Sequence, residues 1–486
     1  MSVINTNIGS ITAQANMAKV NSDMSQAMSR LSSGLRINSA ADDAAGMAIS
    51  EKMTSQIQGL NQAIRNATDG KNLIDTSEGA HQEIQSMLQR LRELSIQSAN
   101  DTNTSSDRAA LNAETSALVT EINRVAETTT FNGMNILDGS YAGKQFQIGA
   151  DSGQTIEVGI DSAAARDIGA NTLRSTAGGV AGAAVTDTTI AAGTTIDIAS
   201  ALGTAQITST AGQSAEELAT AINGASASTG VTATATTKVS LSGMSAAATV
   251  SMTLNGTGIS PVGITDTNDL TALADAINDQ SGVTGVVATM GDTNGEIILT
   301  DNSGADIIFN NVGLSGTGDT LTMQALNADG SNAGAADNFT DTDVTGAVTG
   351  QVELSSAQSF SVASSVANTT SAFQTATSAS SLESVASIDL STQEGAAAAI
   401  GILDVALEKI SQSRSELGAI SNRLDSTISN LTNITVNVEA ARSGIMDADF
   451  AKESSSLSKA NILSQASTAM LAQANANSQN VLQLIQ

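Results

Sequence analysis

The two ends of this 486-residue chain carry one pattern and its middle carries another. From the start to about residue 175, and again from about residue 388, apolar residues recur in alternating steps of three and four, which lines them up on one stripe of a helix. Between these arms runs a Ser/Thr/Gly/Ala-rich stretch in which Lys238 is the only basic residue between Arg174 and Lys409. The arm stripes are narrow and rich in alanine, so a lone arm has little to bury. Ordering backbone costs about 1–2 kcal/mol per residue. The arms must therefore pair with each other and with neighbouring copies, and residues 1–40 and 450–486 are expected to be disordered until they do.

Composition narrows the classes of function. The net charge of −28 leaves no clustered Lys/Arg for a phosphate backbone, which argues against nucleic acid. With no Trp, one Tyr and seven Phe, close helix packing and small β modules fit better than large aromatic cores. The absence of cysteine removes disulfides, thiolate metal sites and thiol nucleophiles. Met1 to Asn7 lacks the basic and apolar regions of a cleavable Sec signal. No apolar run reaches the roughly 18 residues that span a bilayer, so membrane insertion is not expected. Either the protein stays in the cytosol or it leaves by a route that reads no such signal.

Met17, Val20, Met24, Ala27 and Leu31 have coiled-coil spacing. A methionine stripe suits either an adaptable groove or packing core, and core is the simpler reading. Gly34 interrupts the stripe. Ser39 with Asp42 resembles a capping box, which predicts a helix starting near Ser39, running through Met47, Ile49 and Met53 towards Ile84. A further helix carries Ile84, Leu88, Leu91 and Leu94 to about Asn100. Gly34, Ser39, Asp42, Asp43 and Gly46 read as a helix break with a cap, or as an articulation where Ala40, Ala41, Ala44 and Ala45 allow close approach. Leu111, Thr115, Leu118, Ile122 and Val125 define another helix, and Asn132-Gly133 a tight turn. Phe146 and Ile148, then Ile156, Val158 and Ile160, alternate around Asp151-Ser-Gly153 as a β-hairpin.

The middle contains a repeat. Leu218-Ala-Thr-Ala-Ile-Asn223 recurs as Leu273-Ala-Asp-Ala-Ile-Asn278, and Thr229-Gly-Val-Thr-Ala-Thr234 as Thr284-Gly-Val-Val-Ala-Thr289 at the same spacing. Lys238-Val-Ser-Leu-Ser242 is echoed by Glu296-Ile-Ile-Leu-Thr300. Each unit, about 214–243 and 269–301, reads as a short helix followed by two strands. The alternative is a disordered mucin-like spacer, which would not need the repeated apolar positions. After Ile400 the helical rhythm returns through Leu403, Ile410, Leu417, Leu424, Leu431 and Val438. The last arm continues it with Leu463, Ala466, Met470, Ala474, Asn477, Val481 and Leu484. The expected fold class is α-rich and multidomain: long antiparallel coiled-coil helices from both termini, a β-hairpin in the second domain and a central α+β or β-rich insertion.

Little here suggests catalysis. His81 is the only histidine and there is no cysteine, so neither a triad nor a His/Cys metal site can be assembled. Asp42-Asp43 lacks EF-hand spacing, and the glycines from Gly313 to Gly318 lack the following lysine of a phosphate loop. No enzyme activity, cofactor or metal is expected.

Leu31-Ser-Ser-Gly-Leu-Arg-Ile-Asn-Ser-Ala-Ala-Asp-Asp-Ala-Ala-Gly46 resembles the N-terminal signature of bacterial flagellins. So do Gln89-Arg-Leu-Arg-Glu-Leu94, Phe131-Asn-Gly-Met-Asn-Ile-Leu137 and Phe146-Gln-Ile-Gly-Ala150. Arg442-Ser-Gly-Ile-Met-Asp-Ala-Asp-Phe450 and Leu471 to Leu482 resemble the C-terminal signature, and the repeat is similar to a small insert motif of flagellins and hook-associated proteins. The resemblance implies a subunit that polymerises into the flagellar filament for swimming, or alternatively a hook–filament junction protein. It implies residues 1–42 and 447–486 as a coiled-coil domain lining the filament core, 43–175 and 388–446 as a helical domain with the hairpin, and 176–387 as a variable surface domain. It implies inter-helix or inter-subunit packing by Met17, Val20, Met24, Leu31, Leu35, Leu463, Met470, Val481 and Leu484. Partners would be further copies of the chain, a cap, the hook-junction protein and an export chaperone. The location would be outside the cell after unfolded type III export. Gln89, Arg90, Leu94 and Glu114 match a patch that contacts the neighbouring protofilament and is read by toll-like receptor 5. Val481, Leu482 and Leu484 match positions seen by cytosolic flagellin sensors, although this chain ends in Ile485-Gln486 where relatives often carry a cation.

Overall fold

The computed structural model describes residues 6–175, 181–182, 194–210, 212–291, 293–316, 318–333, 336–340, 344–364 and 377–483. Its helices are α1 (Ile8–Ser33), α2 (Ala44–Ser98), α3 (Ser105–Thr128), α4 (Ala215–Gly224), α5 (Ser226–Thr229), α6 (Thr271–Asn278), α7 (Ser281–Thr284), α8 (Gln393–Met446) and α9 (Phe450–Gln483). The chain divides into two compact units. One comprises Met1–Asp75, Gly143–Gly159 and Gly418–Gln486, the other Thr76–Ala142 and Ile160–Leu417.

In the first unit both terminal arms are helical and packed antiparallel. The Asn7 amide donates to the Ala474 carbonyl at 3.1 Å, and Arg30 meets Glu453 at 3.3 Å. Early α2 pairs with late α8: Lys71 lies 2.6 Å from Asp425, and Leu60, Ala63 and Leu431 form a buried cluster. The hairpin Lys144–Gln147/Thr155–Val158 has Phe146 opposite Ile156. It rests on a smooth face of α2, where a Cβ on Gly59 would lie 3.1 Å from Ala150 and one on Gly70 3.3 Å from Phe146. The Asn66 amide fixes it by donating to the Gln147 carbonyl at 2.9 Å.

Two helix boundaries differ from the sequence reading. The helix expected from Ser39 starts at Ala44, because Asp43 is its cap and accepts from Gly46 N–H at 2.9 Å. The break expected at Ile84 is absent. The buried stripe runs unbroken through Ile74, Ser77, His81, Ile84, Leu88 and Leu91. Two of its members are polar, which hides the period in the sequence. His81 Nδ1 donates to the Ser77 carbonyl at 2.8 Å, and burial pushes the imidazole pKa down, so the ring packs as a neutral group.

In the second unit α3 begins with a reciprocal capping box between Thr104 and Asp107. Leu94 packs with Leu390, Ala396 and Ala399. The strands of this unit pair antiparallel. The largest sheet runs in the order Val287–Met290, Glu296–Asp301, Thr232–Ser242, Gln351–Ser356, Gly169–Arg174, Ser381–Ser384. Arg174 ties three strands together, with Glu353 at 3.2 Å and Glu383 at 2.8 Å.

Strand pairing reveals how the repeat is built. Each copy has a hairpin (Thr195–Ser200/Thr204–Thr208, then Ala248–Leu254/Thr257–Ile264), a helix (α4, then α6), a short turn of helix (α5, then α7) and a strand. In the second copy that strand turns back on itself, pairing Ala288 with Leu299 and Met290 with Ile297. In the first copy the same positions pair across a long insertion, Ala233 with Leu354 and Ala235 with Val352. Both copies finish with a strand that returns to their own hairpin: Ile307–Leu314 beside Ala248–Leu254, and Phe360–Ser364 beside Thr195–Ser200. The second copy is thus inserted between the two strands of a hairpin in the first. This corrects the expected echo of Lys238–Ser242 in Glu296–Thr300. The counterpart of Glu296–Asp301 is Gln351–Ser356, and Thr232–Ser242 is one strand rather than two. Each copy has its own core, Phe309 against Phe339 at 5.5 Å in one and Leu218, Ile222, Val352 and Phe360 in the other.

Candidate assembly surfaces

The arm pair buries little. On α1 only Ser10 and Ala27 are buried. Met17, Val20, Met24 and Leu31 are half-buried along the same stripe, and Leu35 is half-buried just beyond it. On α9 the line facing α1 is Glu453, Leu457, Ala460, Ser464, Ser467, Leu471 and Ala474. Leu463 and Met470, expected in inter-helix or inter-subunit packing, lie off that line in the single chain, 43% and 65% exposed, with Ile462 beside them at 67%. The α9 line alternates Leu457 and Leu471 with small residues, which let two slender helices approach. Val481 and Leu484 lie outside the residues whose side chains are described. Ile8, Ile11 and Met28 on α1, and Phe450 on α9, are also exposed. The single chain therefore leaves large apolar groups exposed on the outside of a pair whose α9 line mixes Leu457 and Leu471 with alanine and serine. Such an exposed run of large apolar residues calls for a partner.

The junction beneath the arms is pinned. Gly34 ends α1 in the left-handed region at φ 71°, and its N–H donates to the Arg30 carbonyl. The segment after it forms a single antiparallel bridge with the one leaving α8: Arg36 N–H donates to the Met446 carbonyl at 2.6 Å, and Ala448 N–H to the Gly34 carbonyl at 2.9 Å. Asp42 folds the loop by accepting from Ser39 N–H (2.9 Å), Asn38 N–H (3.2 Å) and the Gln26 amide (3.1 Å). The backbone N–H of Ser39 above all holds its carboxyl below the usual value. A groove of about 650 Å3 beside the junction is lined by Arg30, Arg36, Asp447, Lys452, Glu453 and Lys459, among others.

Gly46 is required by close approach, since a Cβ there would lie 2.5 Å from the Asp43 carboxylate and 2.7 Å from Ile37 Cδ1. Gly46→Ala is expected to lower subunit stability by about 1–3 kcal/mol through overpacking. Gly79→Ala on the same helix meets nothing within 4 Å and should raise it by about 1 kcal/mol. Thermal unfolding of both variants reads the two signs, and a more stable Gly46→Ala protein refutes the steric account.

Of the remaining patch, Gln89, Arg90 and Glu114 are exposed, and Arg90 bridges Glu93 at 3.0 Å and Glu114 at 2.9 Å. Leu94 is fully buried and cannot touch a partner, so its place in a contact surface is corrected to the helix core beneath it. No helix among the described residues is long and apolar enough to cross a membrane, and none of their His, Cys, Asp or Glu cluster as a metal site would.

Comparison with known proteins agrees with this architecture. The bacterial flagellin N-terminal helical region matches residues 4–142 and the C-terminal helical region 400–485. The flagellin hook IN motif matches residues 178–247 and 251–303, which overlap the two nested copies. The chain is 40% identical to a B-type flagellin of Pseudomonas aeruginosa and 32% identical to flagellin B of Vibrio cholerae, covering 99% of both chains in each case. The flagellar junction protein FlgL from Legionella pneumophila aligns at 14% identity with a TM-score of 0.35, over 82% of this chain and 100% of that one. On the terminal helical regions and the full-length identity together, the chain belongs to the bacterial flagellin family.

Proposed function

We propose that this flagellin is exported unfolded through the flagellar type III apparatus and polymerises outside the cell into the filament that drives swimming. The outward apolar residues of α1 and α9 carry the reading, because they gain cover only when arms of neighbouring copies pack around them. Charge agrees. In residues 1–40 and 447–486, Lys19, Arg30, Arg36, Lys452 and Lys459 nearly balance Asp23, Asp447, Asp449 and Glu453. The excess negative charge falls on the rest of the chain, so arms can crowd at an axis while the central modules repel one another in solvent.

In this reading 1–42 and 447–486 line the filament core, 43–175 and 388–446 surround it, and 176–387 face solvent. The junction from Gly34 to Gly46 sets the angle between the inner two layers. A chaperone receives the C-terminal arm before export, a cap guides insertion, and the hook-junction protein presents the first matching surface. A chain with no cysteine and only Pro261 refolds after threading without disulfide pairing and with a single X–Pro bond to isomerise. Arg90 and Glu114, with Gln89, form the exposed part of a patch available to the next protofilament or to toll-like receptor 5, and the C-terminal arm is the segment open to cytosolic sensors. Electron microscopy of the purified chain, seeded with sheared filament ends, tests the central statement: long tubular filaments support it. A protein that stops as a short cap on hook ends supports the junction role instead.

A further inference from the structure

The inserted copy of the repeat ends in two sheet edges with no further strand among the described residues, and both are blocked by unusual means. Val287–Met290 is the last strand of the large sheet, and Thr257–Ile264 the last strand of the five-stranded sheet. In an antiparallel pair alternate residues point their N–H and C=O groups to opposite sides. Ala288 directs both groups to one side chain: Asn278 Nδ2 donates to its carbonyl at 2.8 Å, and its N–H donates to Asn278 Oδ1 at 2.8 Å. The amide thus takes the two hydrogen bonds that an added strand would make at Ala288. The first copy repeats the arrangement, with Asn223 on Ala233 and both distances again 2.8 Å. At the other edge stands Pro261, the only proline of the chain, exposed beside an irregularity where pairing shifts between Val250 and Met252. Proline has no N–H to offer a further strand.

These edges need guarding. Val283 and Val287 are 74% and 47% exposed, and Ser281 to Gly291 contains no charged residue. The usual lysine guard is missing, because Lys238 is the only cation of the region and is tied to the Ala328 carbonyl at 2.9 Å. We propose that Asn278 and Pro261 are edge guards that keep the inserted module from pairing strand to strand with the same module of a second copy. On a filament, where copies stand at high local density, such pairing would bind filaments into bundles. The density argument rests on the filament reading, but the blocked edge belongs to the single chain.

The test uses the full-length chain in two forms. In an Ile462→Asp/Leu463→Asp background, chosen to block assembly through the arms, Asn278→Ala should speed exchange of the Ala288 amide about tenfold in dilute protein, the loss of one hydrogen bond. It should also make sedimentation concentration-dependent, and Val287→Lys should reverse the association by placing a charge on the opened edge. In filaments Asn278→Ala should move the pellet from high to low centrifugal force. If Asn278→Ala alters the circular dichroism of the subunit, Pro261→Thr replaces it with the same expected association. A natively folded variant that stays monomeric at all concentrations, and whose filaments stay single, overturns the proposal. Association in the arm-blocked background, with no filaments from the parent chain, would support the guards while removing the filament reading.

Discussion

Ile462→Asp with Leu463→Asp is expected to abolish polymerisation while leaving the second unit of the subunit folded. These side chains lie outside the α9 line that meets α1, and both are exposed in the single chain. A carboxylate there costs the isolated subunit little. In an assembled arm layer the same carboxylate would be enclosed without a partner, a penalty of several kcal/mol per charge that every copy would bear. Assembly multiplies that penalty along the filament, so the expected result is complete loss rather than a shift in critical concentration. Sedimentation and electron microscopy read the outcome, with circular dichroism confirming the fold. Limited proteolysis of the soluble variant should remove both arms rapidly, since α1 buries only Ser10 and Ala27. Filaments of normal length from the double variant would show that the outer face of α9 is not a contact, and with it would fall the reading of Leu463 and Met470 as inter-subunit residues.

Excising the inserted copy is the second large effect. The turn that links Gly291 to Glu296 in the second copy spans the same two strand positions that the first copy links through residues 237–350, because Met290 opposite Ile297 matches Ala235 opposite Val352. Replacing 237–350 by Asp-Thr-Asn-Gly, the sequence from 292 to 295, should close the hairpin directly. Leu218, Ile222, Ala233, Val352, Leu354 and Phe360 would keep their core, which draws nothing from the inserted copy. Short loops also lower the entropy of closure. The expected protein is soluble, retains cooperative unfolding and still forms filaments, thinner by the missing module. Loss of the remaining module's protected amides would show that the two copies fold only together, and the nested reading would then fail.

The periodic elements were legible in the sequence because their signal is local. Met17, Val20, Met24 and Leu31 fall on the half-buried stripe of α1, and Leu403, Ile410, Leu417, Leu424 and Leu431 on the buried stripe of α8, since helical periodicity survives wherever apolar residues mark it. The same reasoning misled where burial and polarity part company. Ser77 and His81 are buried through hydrogen bonds to each other, so α2 looked broken where it is continuous. On α9, Ile462, Leu463 and Met470 lie beside the line that meets α1, so apolar spacing marked residues that the single chain leaves exposed. Leu94 shares its motif with exposed Gln89, Arg90 and Glu93, yet it faces Leu390 and Ala399.

By itself, then, the sequence determined that long helices form at both ends, that the middle carries a duplicated module, and that the arms are too poor in bulky seam residues to stand alone. Tertiary structure decided which face of α9 meets α1, that Asp43 rather than Ser39 caps α2, and that Ala233 pairs with Leu354 across the inserted copy. The physical reason is range. Helical stripes and turns are set by residues a few positions apart, whereas strand partners and packing faces are chosen by register and size among segments that meet only after the chain has folded.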